Sequence, residues 1–328
     1  MQMSARKLQS HLTLVVLALG SLTQSCAPRR TTDRALLHDD AQLPQQPTRR
    51  PGAARIVAFG DVHGDHAVTI NALKLAGAID DQLRWIGGSL VVVQVGDQLD
   101  RGNQERAILD LFARLEIEAR EAGGAFYPLL GNHELMNVTF DFSYVTSEGF
   151  REFNEFSRGR EDFEPVRDLR APEKGRGVAF YPGGPYAQKI ARHNTIMIIG
   201  DTVFVHGGVL PEHARYGIER INKETTDWIL GQRMARPAFL DDENGPLWNR
   251  RFSSGTGNDD CAILEETLEL LGVKRMVVAH TPQDGGINSR CDRKVWRVDT
   301  GMSSYYEGPL ELLEIRSETL KVLRPEDT

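Results

Sequence analysis

Short apolar runs that end at a glycine recur along the first half of the chain, with helical periodicity between them. Largely apolar runs at 55–59, 90–95 and 125–130 predict buried strands, and a glycine follows each run directly. Between them, residues 67–78 and 104–120 carry apolar positions at helical spacing. Three strand–helix units in succession predict an α/β fold with neighbouring strands.

The second half is richer in predicted strands. Residues 195–199 and 202–205 predict a hairpin around Gly200 and Asp201, and further strands are expected at 275–279, 294–298, 310–316 and 320–323. From Phe140 to Lys189 many aromatic and charged residues interrupt this rhythm. This segment, the insertion at about 140–190, is interpreted as largely helical, covering one face of the site and selecting substrates. Ordinary helices that complete the core are the alternative.

The N-terminus has the layout of a secretory signal. Arg6 and Lys7 precede an apolar run over 12–22, and small or polar residues then lead to Cys26. The run is shorter than the roughly 20 apolar residues that a membrane span needs. The sequence favours a signal over 1–26 that ends at a lipidated Cys26 rather than simple cleavage nearby. We therefore expect an exported protein, periplasmic or at the cell surface, that contacts a membrane only through this lipid.

Residues 27–51 predict a flexible linker, because they are rich in Arg, Asp, Gln and Pro and lack periodic apolar positions. The folded domain is accordingly expected over 52–328, including the insertion. If Cys26 is lipidated, Cys261 and Cys291 remain. In an oxidising compartment they form either a disulfide or two separate thiols, and the sequence leaves both open.

Composition narrows the class of protein without naming a function. Of the 328 residues, 40% are hydrophobic and 26% are charged, which excludes wholesale disorder. The formal net charge is −7. An acidic chain of this kind is not a general binder of nucleic acid or of anionic membranes.

Several predicted strands end at side chains that bind metal ions. The segments are Gly60-Asp61-Val62-His63, Gly96-Asp97, Gly131-Asn132-His133, Val205-His206 and Ala279-His280. The carboxyl ends of strands are where ligands bind in open α/β sheets. Aspartate, histidine and asparagine donors without a thiolate suit Mn, Fe or Zn. The number of donors predicts two divalent ions, about 3.5–4 Å apart, that share one carboxylate.

The ordered motifs GDVHGD, GDQLDRG and GNHE resemble the signature of the calcineurin-like metallophosphoesterases. The DRG sequence resembles the phosphoprotein phosphatase branch of that family. GNHELMN at 131–137 and GPLWNR at 245–250 look most like the bacterial Shewanella-like protein phosphatases, and the match spans residues 55 to about 302. The resemblance implies two packed mixed β-sheets flanked by helices, with the metal ions at one sheet edge.

The resemblance also implies a role for each matching residue. The implied metal ligands are Asp61 and His63 for the first ion, Asp97 as the bridge, and Asn132, His206 and His280 for the second, with Mn the favoured metal. Arg101 and Arg250 would grip phosphate oxygens from two sides. A hydroxide held between the metal ions would attack the phosphorus. His133, oriented by Asp100, would then donate a proton to the leaving oxygen.

Elementary electrostatics agrees with these roles. A phosphate monoester is an anion and repels an attacking hydroxide, so metal ions and arginine side chains must neutralise the charge on its oxygens. The planar guanidinium group matches phosphate geometry. A nucleophile generated from water requires no serine or cysteine attacker.

Taken singly, these residues have structural alternatives. A lone Asp beside Gly is more often a turn or helix-cap residue, and a lone His after a strand is often a core residue. Arg101 alone could be a surface ion-pair partner, and only the spacing from Trp248 favours Arg250 over Arg251. Asp65 is interpreted either as support for the site or as a helix cap. The segment 299–302 receives no role, and Tyr305 and Tyr306 are interpreted as packing residues.

Three functions remain open at this level. The favoured one is a metal-dependent phosphatase that acts on phosphorylated Ser, Thr or Tyr of proteins or on small phosphomonoesters. The second is a dinucleoside polyphosphate hydrolase. The third is a binding protein that keeps the fold without catalysis, for which missing metal ligands would be the signature; none is missing here.

Overall fold

A computed structural model describes residues 45–160 and 162–327 of the chain. The signal expected over 1–26, with Cys26, lies outside the described residues, as does most of the linker expected over 27–51. Among the described helices, none combines the length and the apolar character that a membrane crossing requires.

The described strands are short. They are β1 (Arg49–Arg50), β2 (Ile56–Phe59), β3 (Val91–Gln94), β4 (Ala125–Pro128), β5 (Ile196–Ile199), β6 (Thr202–Val205), β7 (Arg275–Val278), β8 (Asn288–Arg290), β9 (Val295–Arg297), β10 (Leu312–Arg316) and β11 (Thr319–Leu323). The predicted hairpin is present as β5 and β6, which pair antiparallel.

The helices lie between these strands. They are α1 (His66–Leu75), α2 (Glu105–Glu121), α3 (Asn132–Val138), α4 (Ser147–Arg151), α5 (Ala171–Phe180), α6 (Pro185–Ile190), α7 (Pro211–Tyr216), α8 (Ile218–Ile229) and α9 (Asn258–Leu271). Short 3₁₀ turns occupy Asn154–Ser157, Glu164–Val166, Ala238–Leu240 and Pro325–Asp327.

The strands form two mixed sheets. The first sheet has the order β11-β10-β2-β3-β4, and the second has the order β1-β5-β6-β7-β9-β8. In the first sheet β2, β3 and β4 run parallel. In the second sheet β6, β7 and β9 run parallel. Each sheet therefore has three parallel strands whose carboxyl ends share one edge.

Alternation along the strands explains how the layers pack. Ile56 and Ala58 of β2 face the core between the sheets, together with Phe204 of β6. Val57 and Phe59 face the other way, onto α1 and α2. Because successive side chains of a strand point to opposite faces, a strand buried on both faces reads as continuously apolar. The resulting helix–sheet–sheet–helix arrangement confirms the α/β fold with two packed mixed sheets.

The insertion is largely helical, as expected, and it both contributes to a core and lines the site. It contains α4, α5 and α6. Phe153 and Phe180 are fully buried and extend a core that includes Leu99. Ser143 and Tyr144, by contrast, line the pocket described below. The insertion therefore completes a core on one side and walls the site on the other.

The last residues of the expected linker belong to the fold, which corrects the boundary at 51. Arg49 and Arg50 form β1, which pairs in parallel with β5 at the edge of the second sheet. Gln46 is buried, and its Nε2 donates a hydrogen bond to the carbonyl oxygen of Pro128 over 3.2 Å. Polar residues can therefore form an edge strand, because its backbone pairs with the neighbouring strand without any buried apolar side chain.

Cys261 on α9 and Cys291 after β8 form a disulfide, with their Cα atoms 5.2 Å apart. This resolves the choice between a pair and two thiols in favour of the pair. The bond joins residues separated by 30 positions, and His280 lies within the closed loop. Disulfides of this kind persist in oxidising compartments.

Replacing Cys261 by Ser should lower the free energy of unfolding by about 3–4 kcal/mol, because a loop of about 30 residues is no longer closed in the unfolded chain. Denaturant unfolding of the oxidised wild type and of the variant would measure the difference. Reduced wild type is the matched control and should coincide with the variant. Equal midpoints for oxidised wild type and variant would show that the bond does not stabilise the fold.

Candidate active site

The parallel strands of both sheets end at one site. Asp61 and His63 follow β2, Asp97 follows β3, and Asn132 opens α3 after β4. His206 and His280 follow β6 and β7 of the second sheet. All six side chains are at most 5% exposed. The structure thus brings together residues that span 61 to 280 in the sequence.

Close backbone contacts hold the first two loops against each other. The backbone N–H groups of Val62 and His63 both donate to the carbonyl oxygen of Asp97 over 3.1 Å. A Cβ atom at Gly131 would lie 2.1 Å from the Asp97 carboxylate. Glycine is therefore required at 131 for the third loop to approach Asp97, as the sequence pattern suggested.

Several site residues have left-handed backbone conformations. The φ angles of Asp97, Asp100 and Arg101 are 56°, 68° and 64°, and those of His63 and His280 are 43° and 69°. Non-glycine residues rarely adopt such angles, and they concentrate at functional sites. The sharp turns direct consecutive side chains of these loops into the same pocket.

Four potential ligand atoms meet around His206. Its Nε2 atom lies 3.0 Å from Oδ1 of Asn132, 3.1 Å from Nδ1 of His280 and 3.2 Å from Oδ2 of Asp97. The other ring nitrogen, Nδ1, donates to the carbonyl oxygen of Val95 over 2.9 Å. In the neutral ring Nε2 therefore presents a lone pair to the oxygens of Asn132 and Asp97. A divalent cation among these atoms would satisfy all of them.

A second group of ligand atoms surrounds Asp97 from the other side. Nε2 of His63 lies 3.8 Å from Oδ2 of Asp61 and 4.0 Å from Oδ2 of Asp97. Nδ1 of His63 donates to the carbonyl oxygen of Leu99 over 3.0 Å, which leaves Nε2 free to bind an ion. Asp97 is thus the carboxylate common to both groups.

The donor set fits a pair of metal ions. Oδ1 of Asp61 and Nε2 of His280 are buried without a hydrogen-bond partner. Burial lowers the pKa of His63 to about 3 and, with the charge of His206, that of His280 to about 2. Both imidazoles are therefore neutral at pH 7, and the neutral ring is the form that binds metals.

Buried carboxylates add to the negative charge of the site. Burial raises the pKa of Asp61 well above its ordinary value, and the carboxylates of Asp299 and Asp97 raise it further. Burial also raises the pKa of Asp299 to about 6. Like charges crowded out of water are costly unless a cation accompanies them. The sequence analysis assigned no role to Asp299, and the structure places it beside Asp61.

His133 and Asp100 form a hydrogen-bonded pair at the edge of the metal ligands. Nδ1 of His133 lies 2.6 Å from Oδ2 of Asp100, and Nε2 faces the pocket 3.9 Å from Oδ2 of Asp97. Burial disfavours the charged ring, but the carboxylates of Asp97 and Asp100 outweigh that effect and raise the pKa of His133. A protonated imidazole at this position can donate a proton from Nε2.

Arg101 reaches the pocket through a collar of three tyrosines. Its guanidinium carbon lies 4.5 Å from the ring centre of Tyr144, 5.1 Å from that of Tyr305 and 5.2 Å from that of Tyr306. Nη2 lies 3.4 Å from Nε2 of His133. Such contacts between a cation and aromatic faces fix the arginine in one pose. Tyr305 and Tyr306 therefore pack, as expected, and their partner is Arg101; Tyr306 also lines the pocket.

Arg250 lines the same pocket, whereas Arg251 does not. Nη1 of Arg250 donates to the carbonyl oxygen of His280 and to Oγ1 of Thr281, each over 2.8 Å. Arg251 forms an ion pair with Asp260 instead. Arg250 is therefore the arginine of this pair that lies at the pocket, as its spacing from Trp248 indicated.

The pocket has a volume of about 320 Å³ and is open to solvent on one side. Its floor holds Asp61, His63 and Asp97, and its walls include Tyr144, Trp248 and Tyr306. This volume accommodates a phosphate group and part of the group attached to it.

Two residues support the site from outside the ligand set: Glu134, which the sequence analysis missed, and Asp65, for which it left two interpretations open. Glu134 is fully buried, and its carboxylate accepts hydrogen bonds from the backbone N–H groups of Asp97, Gln98, Leu99 and Gly131. Its position after His133 in the GNHE motif was visible, but its partners were not.

Asp65 caps α1 through Val68 N–H and also accepts from Ser304 N–H over 2.8 Å. Asp65 is thus the cap that one interpretation named, and it anchors the turn before Tyr305.

Metal binding should stabilise the protein, because the ligands come from both sheets and exist as a set only in the folded chain. Chelator-treated protein should gain about 2.7 kcal/mol of stability when Mn, Fe or Zn is restored at about 100 times its dissociation constant. Thermal unfolding against metal concentration would measure this gain without reference to activity. A melting temperature that none of the three metals moves would contradict the assignment of the ligand set.

Fold and site together define a metal-dependent hydrolase of phosphate esters, and comparison with known proteins identifies its family. A family model described as calcineurin-like phosphoesterase matches residues 54–284. The chain belongs to this family. This family uses a centre of two metal ions, and its members are hydrolases.

Relatives and solved structures agree with that placement. Shewanella-like protein phosphatase 2 of Arabidopsis thaliana is 41% identical over 84% of this chain and 81% of its own length. The cold-active protein tyrosine phosphatase of a psychrophilic Shewanella species has a TM-score of 0.67 at 27% identity, covering 85% of this chain and 83% of that one. A protein serine/threonine phosphatase from Saccharomyces cerevisiae, at 14% identity and a TM-score of 0.55, shares the fold.

Proposed function

We propose that this metallophosphoesterase is a phosphomonoesterase that removes phosphate from phosphorylated side chains of proteins. One observation carries the proposal: the metal ligands, Arg101 and the His133–Asp100 pair converge on one pocket. The relatives named as protein phosphatases support it, since they share the family and most of their length with this chain.

The residues of the chain divide the work of hydrolysis. When bound, two metal ions would activate a water molecule and neutralise phosphate charge. Arg101, held by its tyrosine collar, would hold the phosphoryl oxygens through its N–H groups. Arg250 would hold them from the opposite wall. His133 would protonate the departing oxygen, and Asp100 would keep the proton of Nδ1 in place so that Nε2 faces the substrate.

The walls of the pocket favour an aromatic substrate. Tyr144, Tyr306 and Trp248 line the space around the phosphate position, and aromatic pairs contribute about 0.5–1.5 kcal/mol beyond their buried area. A tyrosine phosphate would place its ring among them. Serine and threonine phosphates lack this ring, so we propose that phosphotyrosine is the preferred side chain.

A substrate panel tests the proposal. Matched peptides carrying phosphotyrosine, phosphoserine or phosphothreonine, together with a diadenosine polyphosphate, would be incubated with the metal-loaded enzyme. We expect all three peptides to release inorganic phosphate, with the highest kcat/KM for the tyrosine peptide. Cleavage of the diadenosine compound without any peptide turnover would overturn the proposal in favour of a dinucleoside polyphosphate hydrolase. Turnover of no compound would refute both.

A further inference from the structure

Arg176 of the insertion has no place in the function described so far, yet it is fully buried. It lies on α5, and the hydrogen bonds of its guanidinium group employ all of its nitrogens. Nε donates to Asn137, Nη1 to Glu105 and to the carbonyl oxygen of Gly149, and Nη2 to Asp100 and to Glu105. Each of the five N–H groups of the guanidinium group therefore has an acceptor.

The contact with Asp100 links this arginine to the proton donor. Oδ1 of Asp100 accepts from Nη2 of Arg176 over 3.1 Å and from Nδ2 of Asn137 over 2.9 Å. Oδ2 of the same carboxylate accepts from Nδ1 of His133. The carboxylate that orients His133 is therefore itself held from behind by two donors.

Glu105, the first residue of α2, makes the arrangement rigid. Its two carboxylate oxygens pair with Nη1 and Nη2 of Arg176, and Oε1 also accepts from the backbone N–H of Asp100 over 2.6 Å. A bidentate arginine–carboxylate pair fixes orientation as well as distance. Both Asp100 and Glu105 are fully buried.

Local packing leaves the guanidinium group little room to move. Its carbon lies 5.2 Å from the ring centre of Phe153 and 5.3 Å from that of Phe180. A Cβ atom at the neighbouring Gly175 would lie 2.4 Å from the carbonyl oxygen of Phe153. Glycine at 175 thus lets α5 approach closely enough for Arg176 to reach Asp100.

The charges around Arg176 indicate that this residue does more than anchor the insertion. Asp100 and Glu105 place two carboxylates in a water-free region, and within it Arg176 is the cation that contacts both. Without the arginine, the Asp100 carboxylate would be left with one neutral donor besides His133. The carboxylate would then be free to rotate away from Nδ1 of His133. As a result, Nε2 of His133 would no longer point at the leaving oxygen.

We propose that Arg176 is a positioning residue for proton donation: it fixes the Asp100 carboxylate, and through it the ring of His133. The insertion then contributes to chemistry and not only to substrate choice. The effect on rates rests on the proposed function, whereas the effect on the geometry of His133 does not.

Arg176→Lys tests the proposal, because lysine keeps the charge but cannot make the paired hydrogen bonds. We expect kcat to fall about 100-fold with phenyl phosphate, the loss associated with a misplacement of about 1 Å. The loss should be much smaller with dinitrophenyl phosphate, whose leaving group needs no proton, and KM should change little for either. Arg170→Lys, on the exposed N-terminal side of the same helix, is the matched control and should match wild type.

A second readout does not depend on turnover. The proton on Nδ1 of His133, shared with Asp100, should give a low-field NMR signal in the metal-free wild type and in Arg170→Lys. It should be lost or shifted in Arg176→Lys. If the lysine variant does not fold, Glu105→Gln combined with Arg176→Gln removes both charges together and should show the same loss of signal.

The outcomes separate the two ideas. Equal losses of kcat with both phosphates, together with an unchanged His133 signal, would make Arg176 purely structural and overturn the inference. Wild-type rates in Arg176→Lys would overturn it as well. If the wild type hydrolyses no phosphomonoester, the proposed function fails, and the His133 signal in the variants still decides the role of Arg176.

Discussion

Replacing Asp97 by Asn should reduce kcat/KM for an aryl phosphate by about 1,000-fold or more, a barrier increase of about 4 kcal/mol. Asp97 is the carboxylate shared by both ligand groups, and its Oδ2 lies 3.2 Å from His206 and 4.0 Å from His63. Asparagine has nearly the same shape but no charge, so the fold should persist while metal affinity falls. Steady-state kinetics and elemental analysis of bound metal would measure both effects.

Asp81→Asn is the matched control for that experiment. Asp81 is exposed beyond α1, where it pairs with Lys74. The same chemical change there should leave rate and metal content at wild-type values. Full activity with two bound ions in Asp97→Asn would remove Asp97 from the centre of the site.

Replacing His133 by Asn should lower kcat by about 100- to 10,000-fold with phenyl phosphate, the range that general acid catalysis contributes. The loss should shrink with dinitrophenyl phosphate, because its departing oxygen is stable without a proton. Nε2 of His133 faces the pocket next to Arg101, while Nδ1 is committed to Asp100. The slope of log kcat against the pKa of the leaving group would measure the change.

His66→Asn, at the start of α1, supplies the corresponding control, since His66 is not among the residues that line the pocket. It should retain wild-type kcat with both phosphates. A uniform loss in His133→Asn, independent of the leaving group, would assign His133 to metal binding rather than to proton donation. This outcome is a real alternative, because His133 also lies with His63 and Asp97 in one group of ligand atoms.

The candidate metal ligands were predictable from the sequence because each depends on a local rule. An apolar run predicts a strand, and a parallel strand directs its carboxyl end to the shared edge. Asp61 and Asp97 follow such a run after one glycine, and His206 follows one directly. Knowledge of which strands lie side by side was not needed, since β2, β3, β4, β6 and β7 all end at the same site.

Residues that act through tertiary contacts were not predictable in this way. Arg176 sits between two glycines in a segment without clear periodicity. Its partners, Asp100 in the loop after β3 and Glu105 on α2, become its neighbours only when the insertion folds back. The tyrosine collar is similar, because Tyr144 and Tyr305 are distant in sequence and meet only at Arg101. No pattern within a short window carries such information.

The edge strand β1 and the disulfide are two further features that sequence patterns do not predict. Two polar residues, Arg49 and Arg50, pair through their backbones, which side-chain patterns do not report. The pairing of Cys261 with Cys291 depends on how α9 packs beside β8 and β9, and the spacing of two cysteines does not determine that.

The left-handed turns at His63, Asp97, Asp100, Arg101 and His280 set stability against activity. Such a backbone costs a non-glycine residue about 1–2 kcal/mol relative to its preferred conformation. Glycine at any of these five positions would relieve that cost but would remove a side chain that lies at the site. A stabilising substitution at these positions is therefore expected to lower turnover.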